Sequence, residues 1–155
     1  MATAGTAARA LVLACGNTLR SDDGVGWHIA RAVDENPPHS ALTVIMAQQF
    51  LPEHAVAISE ADAVVFVDCS AVTAPGIVTT MTITPAEKLP RILTHHLDPA
   101  SLLKMAEDLY AHRPAKAVAV TVGAASFDLS EKLTPVVEAA LPAAIAAVRA
   151  ALLNS

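Results

Sequence analysis

Apolar and polar positions along the chain fall into blocks that predict strands and helices in turn. Apolar or alternating runs of five to eight residues, bounded by turn residues, predict five β-strands. These runs are Ala10–Cys15, Leu42–Met46, Ala63–Val67, Ile77–Thr84 and Ala117–Val122. The fourth run is rich in β-branched residues and follows the Pro75-Gly76 turn, which indicates an edge strand.

Amphipathic segments between and after these runs predict four helices, over 25–33, 52–60, 99–112 and 135–152. The last two begin at Asp98-Pro99 and Thr134-Pro135, where a capping side chain precedes a proline that suits the first helical position. In the third helix the periodicity places four side chains inward, those of Leu102, Leu103, Ala106 and Leu109.

Alternating strands and helices predict an α/β fold, a three-layer α/β/α sandwich around a mainly parallel five-stranded sheet. The 155 residues suffice for one domain with a full hydrophobic core and are short for two. We therefore expect a single domain over residues 1–155.

Charge and composition exclude several classes of partner. A net charge of -5 provides no basic stripe for phosphates, so nucleic acid is not an expected partner. No apolar run approaches the roughly 18 residues that cross a bilayer, so we expect a soluble protein without a membrane partner. The run Ala10–Cys15 is too short for a signal peptide, and Cys15 and Cys69 lack CxxC spacing. These features favour a cytoplasmic protein without a disulfide scaffold or zinc knuckle.

Chemistry-bearing side chains follow the predicted strands. Asp22-Asp23 comes after the first strand, Asp68 after the third, and His95-His96 lies in the loop before Asp98. The carboxyl ends of parallel strands share one edge of a sheet, where ligands collect. Two carboxylates and an imidazole could hold a borderline divalent metal with open positions, or could hold a water and act as general acid and base.

Each candidate also has a structural interpretation. Ser21, Asp22 or Asp23 could cap the following helix, although adjacent helical residues diverge by about 100°, so one aspartate can cap while the other faces a site. Asp68 could form a turn. Cys69 is disfavoured as a nucleophile paired with His95. Neighbouring strand side chains point to opposite faces, so Cys69 and Asp68 would not serve one site unless the strand ends between them.

The glycines do not indicate a dinucleotide site. Gly16, Gly24 and Gly26 do not fit GxGxxG, and two aspartates in the same loop would repel a phosphate.

Four segments, in this order, resemble the hydrogenase maturation proteases over nearly the whole chain. The most specific is Gly16-Asn17-x-Leu19-x-x-Asp22-Asp23-Gly24-x-Gly26, which is similar to the opening motif of that family. The others are Val64-Val65-Phe66-Val67-Asp68, Thr94-His95-His96-Leu97 and Leu133-Thr134-Pro135-Val136-Val137-Glu138.

This resemblance implies a nickel-dependent endopeptidase that removes a short C-terminal extension from the large-subunit precursor of a [NiFe] hydrogenase. It assigns nickel contacts to Asp23, Asp68 and His95, with His96 as the alternative histidine, and catalysis to Asp23 and Asp68. The nickel belongs mainly to the precursor, and Asp22 is left as a structural partner.

The chain departs from the family after the second strand. Where the family carries glycine and threonine, this chain has Ala47-Gln48-Gln49-Phe50-Leu51-Pro52-Glu53. Glutamine resists the close backbone approach that glycine allows, so the surface beside the site should differ. The departure motivates an alternative function, a non-catalytic, metal-dependent binding or chaperone module for a metalloenzyme precursor.

Overall fold

A computed structural model describes residues 8–38, 40–89 and 97–153 as alternating strands and helices. The strands are β1 (Ala10–Cys15), β2 (Leu42–Ala47), β3 (Ala63–Ser70), β4 (Val78–Thr82) and β5 (Lys116–Gly123). The α-helices are α1 (Val25–Glu35), α2 (Ala55–Glu60), α3 (Pro99–Tyr110) and α4 (Pro135–Leu153). Short 3-10 helices precede α1 at Ser21–Gly24 and α2 at Pro52–His54.

The strands form one sheet in the order β2-β1-β3-β5-β4. The pairs β1–β2, β1–β3 and β3–β5 are parallel, and β4 is an antiparallel edge strand on β5. The chain leaves β1 toward β2 on one side and returns to β3 on the other. Strand order therefore reverses between β1 and β3, and in an open α/β sheet such a switch point opens a crevice beyond the carboxyl ends of the strands.

Residue alternation along the central strands divides the core into two layers. In β1, Val12 and Ala14 pack on the face covered by α1 and α4, whereas Leu11 and Leu13 pack on the face covered by α2 and α3. The same alternation continues in β3, where Phe66 lies on the α2–α3 face with its ring edge-on to Phe50 at 5.6 Å between centroids. The predicted three-layer α/β/α sandwich is confirmed.

Two local predictions need correction. Leu109 is 63% exposed, so it does not belong to the inward face of α3, although Leu102, Leu103 and Ala106 do. Strand β3 does not end at Val67 but continues through Ser70, because β5 remains paired with it as far as Gly123.

Helix α4 corrects the expectation that no segment is apolar enough to cross a membrane. Within the described residues it is the one helix whose length and composition would allow this, with a mean hydropathy of 1.8. Its inner face supplies core residues such as Val137, Ala144 and Val148, and alanines cover much of its outer face. Since alanine raises hydropathy and favours helix, this composition is also that of a core helix in a sandwich.

Asp22 fastens the loop after β1 to the loop before α4. Its side chain is fully buried and accepts four hydrogen bonds: from the backbone N–H groups of Ala125, Ser126 and Thr134 at 2.8, 3.1 and 2.8 Å, and from the Thr134 hydroxyl at 2.9 Å. Burial acts to raise the pKa of Asp22, but the hydrogen bonds from Thr134, Ala125 and Ser126 outweigh it and lower the pKa below its ordinary value. Asp22 is therefore saturated with protein donors and serves the fold.

Replacing Asp22 by Asn should destabilise the protein by about 3 kcal/mol. The NH₂ group of the amide cannot accept a hydrogen bond, so buried backbone N–H groups that donate to Asp22 would be left unpaired. A carboxylate whose folded pKa is lowered stabilises above its unfolded pKa of 3.8, and this stabilisation is lost as the pH falls through the folded value. Urea unfolding at pH 7 and at decreasing pH measures both effects.

Asp128 provides the matched control, because it lies in the same loop with an exposed side chain. Asp128→Asn should change the free energy of unfolding by less than about 0.5 kcal/mol at every pH. An equal, small effect of both substitutions would show that Asp22 does not fasten the loops.

Candidate functional site

A cavity of about 380 Å³ opens at the carboxyl ends of β1 and β3, at the switch point of the sheet. Its walls come from the ends of β1 and β3, the loop after β2 and the start of α3. The lining residues are Cys15, Gly16, Asp23, Gln48, Gln49, Phe50, Asp68, Leu97, Asp98 and Pro99. Asp23 and Asp68 are thus brought together at one cavity, as their positions after β1 and in β3 led us to expect.

The loop after β1 holds Asp23 by backbone contacts that glycine makes possible. Gly16 has a φ of +147°, and a Cβ there would lie 1.9 Å from the carbonyl oxygen of Asp23. This close approach brings the neighbouring N–H of Asn17 to Asp23 Oδ2 at 2.8 Å. The glycine and asparagine of the opening motif therefore fix the Asp23 carboxylate at the cavity.

A second glycine seats α1 against the sheet. A Cβ at Gly26 would lie 2.8 Å from the carbonyl oxygen of Cys15 and 3.1 Å from that of Val67. The first turn of α1 therefore packs directly on the ends of β1 and β3. Neither Asp22 nor Asp23 caps this helix through its side chain, so the capping interpretation of the aspartate pair is wrong.

Asp68 occupies a half-buried position in β3 with few polar partners. Its Oδ1 accepts the backbone N–H of Cys69 at 2.7 Å, and the thiol of Cys15 lies beside the same carboxyl group. Burial raises the pKa of Asp68 to about 6, the nearby charge of Asp23 acts in the same direction, and the bonds from Cys69 and Cys15 only partly oppose them. Near neutral pH this carboxyl group can both bind and release a proton.

The two cysteines flank the carboxylates as thiols. Cys69 Sγ donates to Asp23 Oδ1 at 3.3 Å. Burial raises the pKa of both thiols, and the adjacent charge of Asp68 raises both further. Because the thiolate is the nucleophile, neither cysteine is poised for nucleophilic catalysis.

Cys69 contacts the site, contrary to the expectation from strand alternation. Cys69 does lie on the opposite face of β3 from Asp68, packed against the α1–α4 layer. It nevertheless contacts the site, because the loop after β1 carries Asp23 over the strand ends and within reach of that face.

His95 and His96 lie outside the described residues, so their predicted roles stay predictions. Leu97, which follows them directly, lines the cavity, and Asp98 caps α3 by accepting the N–H of Ser101 at 2.8 Å. Over 8–38, 40–89 and 97–153, no three His, Cys, Asp or Glu side chains are arranged to hold a metal ion.

The cavity also contains residues outside the predicted catalytic and metal-contacting set. Cys15 ends β1 and faces the α2–α3 layer together with Leu13, so the alternation of β1 could have placed it there. Gln48 and Gln49, where the chain departs from the family motif, form the wall supplied by the loop after β2.

Replacing Asp68 by Asn should stabilise the protein at pH 7.5 by about 2–3 kcal/mol, since one pKa unit corresponds to about 1.4 kcal/mol. Because the pKa of Asp68 is raised in the folded state, its contribution to the free energy of unfolding of the wild type is fully present below pH 3.8. This contribution is lost as the pH rises through about 6. The gain of the Asn variant should therefore be small near pH 4, grow as the pH rises from about 4 to about 6 and be largest above pH 6, as measured by urea unfolding.

Asp128→Asn again serves as the control, with a difference from wild type that stays small and flat over the same pH range. A loss of stability in Asp68→Asn at pH 7.5 would contradict the assignment of Asp68 as a carboxylate held in an unfavourable environment.

No protein-family model and no curated protein sequence matches the chain. Solved structures do. The hydrogenase maturating endopeptidase HybD from E. coli is 27% identical with a TM-score of 0.74, and the match covers 94% of this chain and 93% of that one. A solution structure of an endopeptidase from Escherichia coli is 26% identical with a TM-score of 0.71, covering 93% and 91%.

A third structure, the [NiFe] hydrogenase maturation protease HybD from Thermococcus kodakarensis, shares the fold at 24% identity with a TM-score of 0.68, covering 92% of this chain and 99% of that one. Each of these matches spans more than nine-tenths of this chain and of the similar chain. Together with the opening motif and the aspartate of β3, the two matches above 25% identity support the resemblance to the hydrogenase maturation proteases and a hydrolase of the endopeptidase type.

Proposed function

We propose that this protein is a nickel-dependent endopeptidase that removes the C-terminal extension of a [NiFe] hydrogenase large-subunit precursor in the cytoplasm. The observation that carries the proposal is the meeting of Asp23 and Asp68 in one cavity at the switch point of the sheet. The likeness to HybD of E. coli, named a hydrogenase maturating endopeptidase, supports the same activity.

The two carboxylates differ in a way that suits general acid and base catalysis of peptide hydrolysis. Asp68 has a pKa raised to about 6 by burial, and the charge of Asp23 acts in the same direction. A pair of carboxyl groups that interact in this way can share one proton, with one group activating water and the other protonating the leaving amine. This is the aspartyl-type version of the proposal.

Nickel enters the proposal as part of the precursor. Asp23 and Asp68 offer carboxylate oxygens, and His95 would add an imidazole, a donor set that suits a borderline divalent ion with open positions. In the sequence, His95 comes two residues before Leu97, which lines the cavity. Docking the metal here would place the neighbouring scissile bond near the carboxylates, and a metal bound close to that bond would also polarise its carbonyl.

A second candidate function is a metal-dependent binding or chaperone module without peptidase activity. It is favoured by Gln48 and Gln49, whose amide side chains form a wall of the cavity. Such side chains add hydrogen-bonding groups for a bound segment and add no acid or base to the site.

Incubation with a nickel-loaded large-subunit precursor should release a C-terminal peptide, detected by mass spectrometry. Asp23→Asn and Asp68→Asn should each lower kcat/KM by at least about 100-fold, because each removes a group that exchanges protons in the reaction. Asp68→Asn is the sharper test, since we expect it to be folded and more stable than wild type at neutral pH.

Asp128→Asn changes an exposed side chain that is not among those lining the cavity, and this variant should cleave at the wild-type rate. A stable complex between wild-type protein and precursor without any mass change would rule out the peptidase and support the binding module.

Titration calorimetry with Ni²⁺ or Cd²⁺ should detect binding to the wild-type protein, and Asp68→Ala and His95→Ala should each weaken it at least about tenfold. His96→Ala is the matched control and should bind as wild type does. Weakening by His96→Ala alone would make His96 the ligand, and unchanged affinity in all three variants would remove the proposed ligand set.

A further inference from the structure

We propose that Cys69 is a positioning residue that fixes the Asp23 and Asp68 carboxylates relative to each other. Its meaning for catalysis rests on the proposed function. The structural part of the proposal, that one residue contacts both carboxylates and holds them, stands on the geometry alone.

Cys69 contacts both acids through different groups. Its backbone N–H donates to Asp68 Oδ1 at 2.7 Å, and its Sγ donates to Asp23 Oδ1 at 3.3 Å. Asp23 Oδ2 is taken by the N–H of Asn17 at 2.8 Å, so each oxygen of Asp23 has a protein donor. The thiol therefore selects one orientation of the Asp23 side chain.

The sheet makes Cys69 a rigid support. Cys69 lies opposite Val122 in the ladder between β3 and β5, and Asp68 lies opposite Thr121. Asp23, in contrast, lies in the short 3-10 helix beyond the end of β1. The thiol is thus the side-chain link from the central sheet to the acid that the loop carries.

Cys69 acts from behind the site. It packs against the α1–α4 layer and is not among the residues that line the cavity, whereas Asp23 and Asp68 are. A bound peptide in the cavity would therefore contact the acids and not the thiol. A cysteine thiol carries one S–H group, which can donate to a carboxylate.

Three substitutions separate donation from packing. Cys69→Ser keeps a donor, Cys69→Val fills the space without a donor, and Cys69→Ala removes both. If the thiol positions Asp23, then Cys69→Val and Cys69→Ala should each lower kcat about tenfold and leave KM within about twofold of wild type. The kcat of Cys69→Ser should stay within about threefold of wild type. If the thiol only packs, Val should be the best replacement and Ser should lose stability in urea unfolding.

A measurement independent of cleavage follows the carboxylates themselves. The carboxyl signals in ¹³C NMR spectra can be assigned by comparison with Asp23→Asn and Asp68→Asn. The chemical shift of the Asp23 carboxyl carbon should change in Cys69→Val and Cys69→Ala and stay near its wild-type value in Cys69→Ser. Ser70→Ala, at the next strand position and bonded to Thr73, is the matched control and should leave both carboxyl signals unchanged.

The two readouts fail separately. If the wild-type protein cleaves no precursor, the proposed function is wrong, and the NMR comparison still decides whether Cys69 holds Asp23. An Asp23 carboxyl signal that is the same in wild type, Cys69→Val and Cys69→Ala would overturn the positioning role. Full activity of Cys69→Val together with impaired activity of Cys69→Ser would overturn it as well.

Discussion

Because β1 pairs in parallel with β3 while its own chain crosses to β2, the loops after β1 and β3 diverge and leave a crevice between them. Everything in the site depends on this pairing. It aligns the ends of two buried strands, so Asp68 in β3 and Asp23 in the loop after β1 line the same opening. It also forces the first turn of α1 onto the strand ends, which only the glycine at Gly26 permits.

The three aspartates near this crevice show how solvation divides their roles. Asp22 is fully buried but receives four protein hydrogen bonds, which lower its pKa against the effect of burial and make it part of the fold. Asp68 is partly buried with weaker support, so its pKa rises to about 6. The environment, not the residue type, makes one carboxylate structural and leaves another able to exchange protons. The carboxylate of Asp23 accepts hydrogen bonds from the backbone N–H of Asn17 and the thiol of Cys69.

The likeness to maturation endopeptidases extends over nearly the whole chain, and one departure from the family motif lies at the cavity. Gln48 and Gln49 stand on the wall after β2, where the resemblance would have glycine and threonine. The acids sit on the sheet and its adjoining loop, whereas this wall belongs to a separate loop. The wall formed by this loop can therefore change in sequence without moving the acids at the strand ends.

The sequence by itself determined the layers, the strand positions and the neighbourhood of Asp23 and Asp68, because hydrophobic periodicity and the placement of polar residues after buried runs are local properties. Three features were decided only by the tertiary structure: the continuation of β3 through Asp68, the burial of Asp22 against the loop before α4, and the reach of Cys69 to Asp23. Each joins residues that the sequence shows as unrelated. A hydrogen bond between distant segments depends on how the whole sheet and its loops pack, and no local pattern of residues encodes that.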